Sequence, residues 1–356
     1  MDDKRVLVWG LSNNRAGTEA VIYNYVKHIP DVAFDFLCYE EPLVFSDLFT
    51  SDTQNRYFVI PVKIQHPFAY TRALRKFMKQ YGHEYCTLWF NVNDISNIDL
   101  LIHAKRYGIK RRITHMHNSQ MPDIFITKFF SKLNWKRCLE LTTDRWACSD
   151  SAGRFLYSSL DYKVIPNMVD IQSRLFDLQK RESIRNQLAL QDSWIIGTVG
   201  RLANQKNQVF LIRLLPQILE KNPQAKIMLV GEGELRDELG SLACQLGAEE
   251  HVIFAGSQSD IQAYLSAFDV FAFPSLYEGL SLSILEAQFN GLPCVISDGV
   301  GEESVISFNT KTISLNDPDA WVEALLQGNR DNNALIQEKA QLYDLAYVDS
   351  IASNLF

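Results

Sequence analysis

Short apolar runs rich in β-branched and aromatic residues alternate with helical patterns along most of this 356-residue chain. The connections are short, so successive strands must be joined by crossovers and pair in parallel. The first set reads as strands at Arg5–Gly10, Ala33–Tyr39, Tyr57–Pro61, Thr87–Asn91, Arg112–His117, Arg145–Ser149 and Lys163–Pro166. Helices are expected between them at Thr18–His28, Pro67–Tyr81, Ile95–Tyr107 and Pro122–Leu139. Pro166-Asn167 then opens a polar, charge-rich stretch to Asp192, the best place for a domain boundary. A second set follows, with strands at Trp194–Val199, Ala225–Gly231, His251–Ala255, Val270–Phe273, Cys294–Ser297 and Lys311–Ser314. Its helices are expected at Gln208–Lys221, Glu234–Leu246, Ser259–Ser266, Leu282–Asn290 and Pro318–Leu326. The pattern predicts an α/β protein of two doubly wound, Rossmann-like domains facing across a cleft at the carboxyl ends of their sheets. The domains are placed at 1–167 and 168–340, with a helical tail over 341–356 whose pattern starts at Gln337.

Bulk properties exclude several classes. Six cysteines at 38, 86, 138, 148, 244 and 294 form no Cys-x-x-Cys pair, which reads as reduced thiols and no zinc site. Met1–Gly10 enters a strand at once, its apolar run is too short for a signal peptide, and no stretch is long enough to span a bilayer. The expected location is cytoplasmic. The net charge of −7 argues against general nucleic-acid binding, yet 20 of the 35 lysines and arginines fall in residues 1–150 against 16 of the 42 acids. Lys128–Arg137 mixes cations with aromatics. It reads either as a solvated helix with its aromatics on the core or as a helix lying on an anionic membrane.

The second domain holds the residues with the clearest chemistry. Glu278 and Glu286 stand eight apart in Tyr277-Glu278-Gly279-Leu280-Ser281-Leu282-Ser283-Ile284-Leu285-Glu286. One carboxylate falls on a loop and the other inside a helix, beside a helix N-terminus suited to phosphate. Arg201 and Lys206, five apart on the loop after a buried strand, could hold a diphosphate or be ordinary loop cations. Gly231-Glu232-Gly233 begins like a dinucleotide fingerprint but has Arg236 where a third Gly should be. It is a weak NAD signal and either a nucleoside-approach loop or a plain turn. In the first domain Gly17 opens a helix, as an anion site or a capping turn, and His115 and His117 end a strand, as cleft-lining or packing residues. Asp317-Pro318-Asp319 has a metal-like spacing but sits where a helix cap belongs.

These segments resemble the GT-B glycosyltransferases, and within them the retaining family GT4. The likeness rests on Glu278-x7-Glu286 with Gly279-Leu280, on Gly291-Leu292-Pro293, and on Gly200-Arg201 with Lys206-Asn207. Gly231-Glu232-Gly233 and Val164-Ile165-Pro166-Asn167 add to it. Thr114–Ser119 and Trp146–Ser149 look like bacterial capsule and exopolysaccharide enzymes. The resemblance implies a hexosyltransferase-type enzyme that takes a sugar from a nucleotide-diphosphate donor, a UDP-sugar above all. The sugar goes to a saccharide, lipid-linked at the inner face of the plasma membrane, with retention and with neither metal nor cofactor. It implies that Arg201 and Lys206 hold the diphosphate and that Glu286 binds ribose. Glu278 contacts the donor sugar, with Gly279, Leu280 and Ser281 beside it. The Gly231-Glu232 loop and Phe254 flank the base, and Gly17 and His117 serve from the first domain. The tail would cross back to that domain. One departure is Ala16-Gly17 where the family has Gly-Gly, which weakens the phosphate approach on that side. Two rival readings are a catalytically silent GT-B partner or chaperone subunit and a sugar-nucleotide epimerase. An NAD enzyme ranks behind both because of Arg236.

Overall fold

The structure, a computed structural model, describes residues 5–13, 17–50, 53–121, 124–330, 338–344 and 355–356. The chain forms two compact units, Met1–Met168 with Leu345–Phe356, and Val169–Asp344. Unit 1 is built in the order β1 (Arg5–Trp9), α1 (Gly17–Lys27), β2 (Ala33–Cys38), β3 (Arg56–Val59), α2 (Pro67–Tyr81), β4 (Tyr85–Val92), α3 (Asp99–Arg106), β5 (Arg111–Met116), α4 (Phe125–Leu141), β6 (Asp144–Ala147), α5 (Asp150–Tyr157) and β7 (Lys163–Val164). Its sheet runs β3-β2-β1-β4-β5-β6-β7, parallel throughout.

β2 is buried at every residue, as a parallel strand covered on both faces must be. Its one charge, Asp35, is fully buried and survives because Arg5, Arg56 and the Tyr85 hydroxyl converge on its carboxylate. α5 escaped the sequence reading. Ser149, read there as strand, accepts from the Ala152 amide at 3.2 Å and starts the helix. α4 turns Ser131, Cys138 and Leu141 inward and leaves Phe125, Phe129 and Phe130 exposed. The expected Gln337–Phe356 helix lies mostly outside the described residues, and Glu338–Tyr343 is a 3₁₀ segment. The last two residues belong to the unit 1 core. Phe356 packs edge-on to Phe34 at 5.4 Å and beside Trp89 at 5.2 Å, and the Leu355 carbonyl accepts from Arg111 at 2.6 Å.

Unit 2 runs α6 (Leu178–Gln187), β8 (Trp194–Val199), α7 (Gln208–Lys221), β9 (Ala225–Val230), α8 (Arg236–Gln245), β10 (Val252–Gly256), α9 (Ile261–Ala267), β11 (Val270–Phe273), α10 (Leu282–Phe289), β12 (Cys294–Ser297), β13 (Thr310–Ile313) and α11 (Pro318–Gln327). The sheet order is β10-β9-β8-β11-β12-β13, again parallel, with an apolar core on each face. The polar stretch before β8 is part of this unit and contains α6. Asp177 caps the helix through the Lys180 amide at 3.0 Å. Arg181 and Arg185 reach Asp269 at 2.6 and 2.5 Å and cover carbonyls at the end of α9. A helix held by ions shows no apolar stripe to read. Asp317 caps α11 through the Ala320 amide.

Phe356→Ala tests the docking of the tail. Emptying a partly exposed aromatic site beside Trp89 is expected to cost about 2 kcal/mol, read as a lower urea midpoint.

Candidate active site

In a doubly wound sheet, ligands bind outside the carboxyl ends of the strands where the strand order reverses. In unit 2 that point lies between β8 and β11. Lys206, in the 3₁₀ turn after β8, meets Glu278, on the loop after β11, at 2.6 Å. Both side chains are largely buried, at 20% and 9% exposure, and the ammonium lies 4.8 Å from the Phe273 ring centre. Backbone and amide bonds lock the two loops. The Leu276 amide donates to the Gln205 carbonyl at 2.8 Å, Gln205 Nε2 to the Tyr277 carbonyl at 3.0 Å, and Asn207 Nδ2 to the Pro274 carbonyl at 3.1 Å. The Glu278 amide is tied to the Gly299 carbonyl.

Gly279 and Leu280 lead into Ser281, which stands at the N-terminus of α10 without making a side-chain cap. Glu286, inside that helix, pairs with Arg174 at 2.8 Å. Burial raises the Glu286 carboxyl above its usual range, and the Arg174 charge and hydrogen bond oppose that shift. Arg174 lies 112 residues upstream, and its carbonyl is fixed by Asn290 Nδ2 at 2.7 Å. No sequence spacing pointed to it.

Arg201 is exposed and bridges to Glu234 at 3.0 Å, so the two predicted phosphate cations have different resting partners. Gly231 and Gly233 serve the protein's own backbone first. A Cβ at Gly231, where φ is +136°, would sit 2.2 Å from the Gly200 carbonyl oxygen, and one at Gly233 would sit 2.3 Å from that of Leu202. The Leu202 amide donates to the Glu232 carbonyl at 3.0 Å, which brings the two loops together. Glu232 is exposed, and Phe254 is half-buried under the Arg236 guanidinium, 3.5 Å from its ring centre. Arg236, which counted against NAD, thus stacks on the aromatic expected beside a base.

Unit 1 reverses its strand order between β1 and β4. Gly17, first residue of α1, is exposed, and a Cβ there would meet nothing within 4 Å. Next to it Thr18 bonds Asn93, and Ser12 donates to the buried Glu19, whose carboxyl is raised by burial. His117 follows β5, with its Nε2 3.0 Å from Asn91 Oδ1 and its Nδ1 making no hydrogen bond. His115 is fully buried between Trp89 and Trp146 and is a packing residue. The two imidazole centres are 4.2 Å apart. Burial pushes His117 down to about 3, and burial, then the neighbouring His117, holds His115 well below its usual value.

Two measurements follow from this geometry. Arg174→Met strands the Glu286 carboxylate and is expected to cost about 1–2 kcal/mol, largely recovered in Arg174→Met/Glu286→Gln. A double cycle of urea midpoints reads the coupling. The buried imidazoles are neutral in the folded chain, whereas the unfolded chain protonates them below pH about 6.5. Their stability contribution is therefore intact above that pH and falls as pH drops below it, for His117 down toward about 3. The loss reaches about 1.4 kcal/mol per pH unit per ring. His117→Gln should flatten the melting-temperature profile between pH 4 and 7.

Comparison with known proteins agrees with the two-unit architecture. Residues 180–341 match the family described as Glycosyl transferases group 1. The chain is 29% identical over 345 residues to the protein named "Putative glycosyltransferase EpsF" of Bacillus subtilis (strain 168), covering 90% of this chain and 87% of that one. It is 35% identical over 182 residues to the UDP-Gal:alpha-D-GlcNAc-diphosphoundecaprenol alpha-1,3-galactosyltransferase of Escherichia coli, covering 49% of this chain and 47% of that enzyme. Among solved structures, Anabaena HepE in complex with UDP and glucose superposes with a TM-score of 0.78 at 22% identity, covering 98% of both chains. Residues 180–341 thus carry a glycosyl transferases group 1 domain, and the chain is a glycosyltransferase with the GT-B fold.

Proposed function

We propose that the protein moves a sugar, with retention and without a metal, from a UDP-sugar to a lipid-linked saccharide in capsular or exopolysaccharide assembly. The observation that carries this reading is the Lys206–Glu278 pair at the strand-order reversal of unit 2. An incoming diphosphate competes with Glu278 for Lys206 and frees the carboxylate for the hydroxyls of the sugar. Arg201, exposed on Glu234, swings to the same diphosphate. Two cations then offset the charge that a divalent ion otherwise offsets. Glu286 takes the ribose hydroxyls, the Gly231-Glu232 loop and Phe254 flank the base, and Gly279, Leu280 and Ser281 present backbone at the N-terminus of α10. From unit 1, Gly17 leaves room for phosphate, and His117 offers its unbonded Nδ1 to a sugar hydroxyl.

In the transfer the bond from the anomeric carbon to the phosphate oxygen breaks. The acceptor oxygen bonds that carbon on the same face, and its proton passes to the leaving phosphate. The names of relatives support the substrate classes. The Escherichia coli enzyme is named for a UDP-galactose donor and a diphosphoundecaprenol-linked acceptor, and a Campylobacter jejuni relative for a diphospho-undecaprenol-linked one. The intact pair also disfavours a silent partner subunit, which has no use for a buried ammonium at this place.

Lys206→Ala and Glu278→Ala should each lower transfer at least about 100-fold, with far-UV circular dichroism unchanged. Full transfer by both folded variants overturns the proposal. A melting-temperature panel of nucleotide sugars identifies the donor, since a ligand of the native state raises its stability.

A further inference from the structure

On α4 of unit 1 several large apolar residues face outward, whereas α2 buries Tyr70, Leu74, Phe77 and Met78 and exposes apolar residues only at its entry. On α4, Ile126, Phe129, Phe130 and Leu133 recur three and four residues apart and so share one face, exposed by 63, 55, 45 and 68%. Of the three buried residues of α4, Ser131, Cys138 and Leu141, two are small. This inverts the usual arrangement of a soluble helix. The entry to α2 does the same, with Ile64 92% and Phe68 91% exposed. α2 follows β3 and α4 follows β5, so both helices start at the carboxyl edge of the sheet, and α3 packs against each of them. Exposed large apolar residues clustered on one helix face in this way mark a contact.

Charge decides what the contact is with. α2 holds Arg72, Arg75, Lys76 and Lys79 and not one acid. α4 holds Lys128, Lys132, Lys136 and Arg137 against Glu140 alone. A second copy meeting this face through a two-fold axis would set like charges against each other. Aromatic and aliphatic side chains beside a cluster of cations match the interface of an anionic bilayer. We propose that the outward surface of α2 and α4 docks on anionic lipid, with the N-terminal ends of both helices in the headgroup layer. This rests on the lipid-linked acceptor reading and adds the surface that would meet such an acceptor.

Flotation of the full chain with phosphatidylglycerol-containing vesicles and with pure phosphatidylcholine vesicles tests it. Capture by the anionic vesicles is expected. It should fall at least tenfold in 0.5 M salt, in Lys132→Glu/Lys136→Glu/Arg137→Glu and in Phe129→Ser/Phe130→Ser, each variant checked by circular dichroism. Equal capture by neutral vesicles overturns the proposal, as does unchanged capture of the charge-reversed variant. So does absence of capture, whether or not the chain forms a dimer that Phe129→Ser/Phe130→Ser abolishes. Nucleotide-sugar binding, measured by calorimetry in solution, should be equal in every variant. Its failure with vesicle capture intact would sink the enzymatic reading and leave the docking surface standing.

Discussion

A lysine ammonium buried to four-fifths against an aromatic ring requires a counter-charge, and Glu278 supplies it. The pair does more than neutralise. The loop after β11 has little regular structure of its own, and it is held by Gln205, Lys206 and Asn207 from the loop after β8. The geometry of Gly279, Leu280, Ser281 and the start of α10 depends on that clamp. Removing either ion strands the other in a site of low dielectric, at a cost of several kcal/mol. Exchange for a diphosphate keeps the ammonium paired and leaves the carboxylate to the hydroxyls of the sugar. On the proposed function, the resting pair keeps the site folded and neutral until a diphosphate takes the place of the carboxylate.

The fold was legible because buried parallel strands read as apolar runs and the crossovers between them are short. β2 and β11, buried throughout, show this directly. α6 was hidden for the opposite reason, since Ile184 is its one apolar residue in the core and its other tertiary contacts are largely guanidinium bonds to Asp269 and to carbonyls. The local pattern placed Glu278, Glu286, Arg201 and Lys206 on the right loops and helix, but it could not supply their partners. Arg174 reaches Glu286 over 112 positions. Gly231-Glu232-Gly233 shows a subtler gap. A glycine is required where one backbone passes close to another, and sequence does not say whether that other backbone is a ligand's neighbour or the protein's own. Here the carbonyls of Gly200 and Leu202 already account for both glycines.

Periodicity likewise gives the stripe of a helix but not the direction in which the stripe points. The α4 pattern is compatible with a core-facing helix until the inward positions prove to be Ser131, Cys138 and Leu141. The inward positions of α4 are filled without those aromatics, and on the proposed docking their exposure serves the surface that the helix meets.

The two units also differ in how their polar groups are satisfied. In unit 2 the key ions are paired within the protein, Lys206 with Glu278, Arg201 with Glu234 and Arg174 with Glu286. In unit 1 the corresponding edge holds, beside the buried Glu19, neutral groups that are incompletely bonded, with His117 Nδ1 and Asn91 Nδ2 both buried and making no hydrogen bond. Buried donors and acceptors left open favour a ligand hydroxyl over an analogue that lacks it. Paired ions respond instead to charge, since only an anion repays the exchange. On the proposed function, unit 2 therefore selects for a diphosphate through its charges. The neutral groups of unit 1 are better suited to telling one sugar from another, and His117 keeps that capacity at neutral pH because burial prevents its protonation.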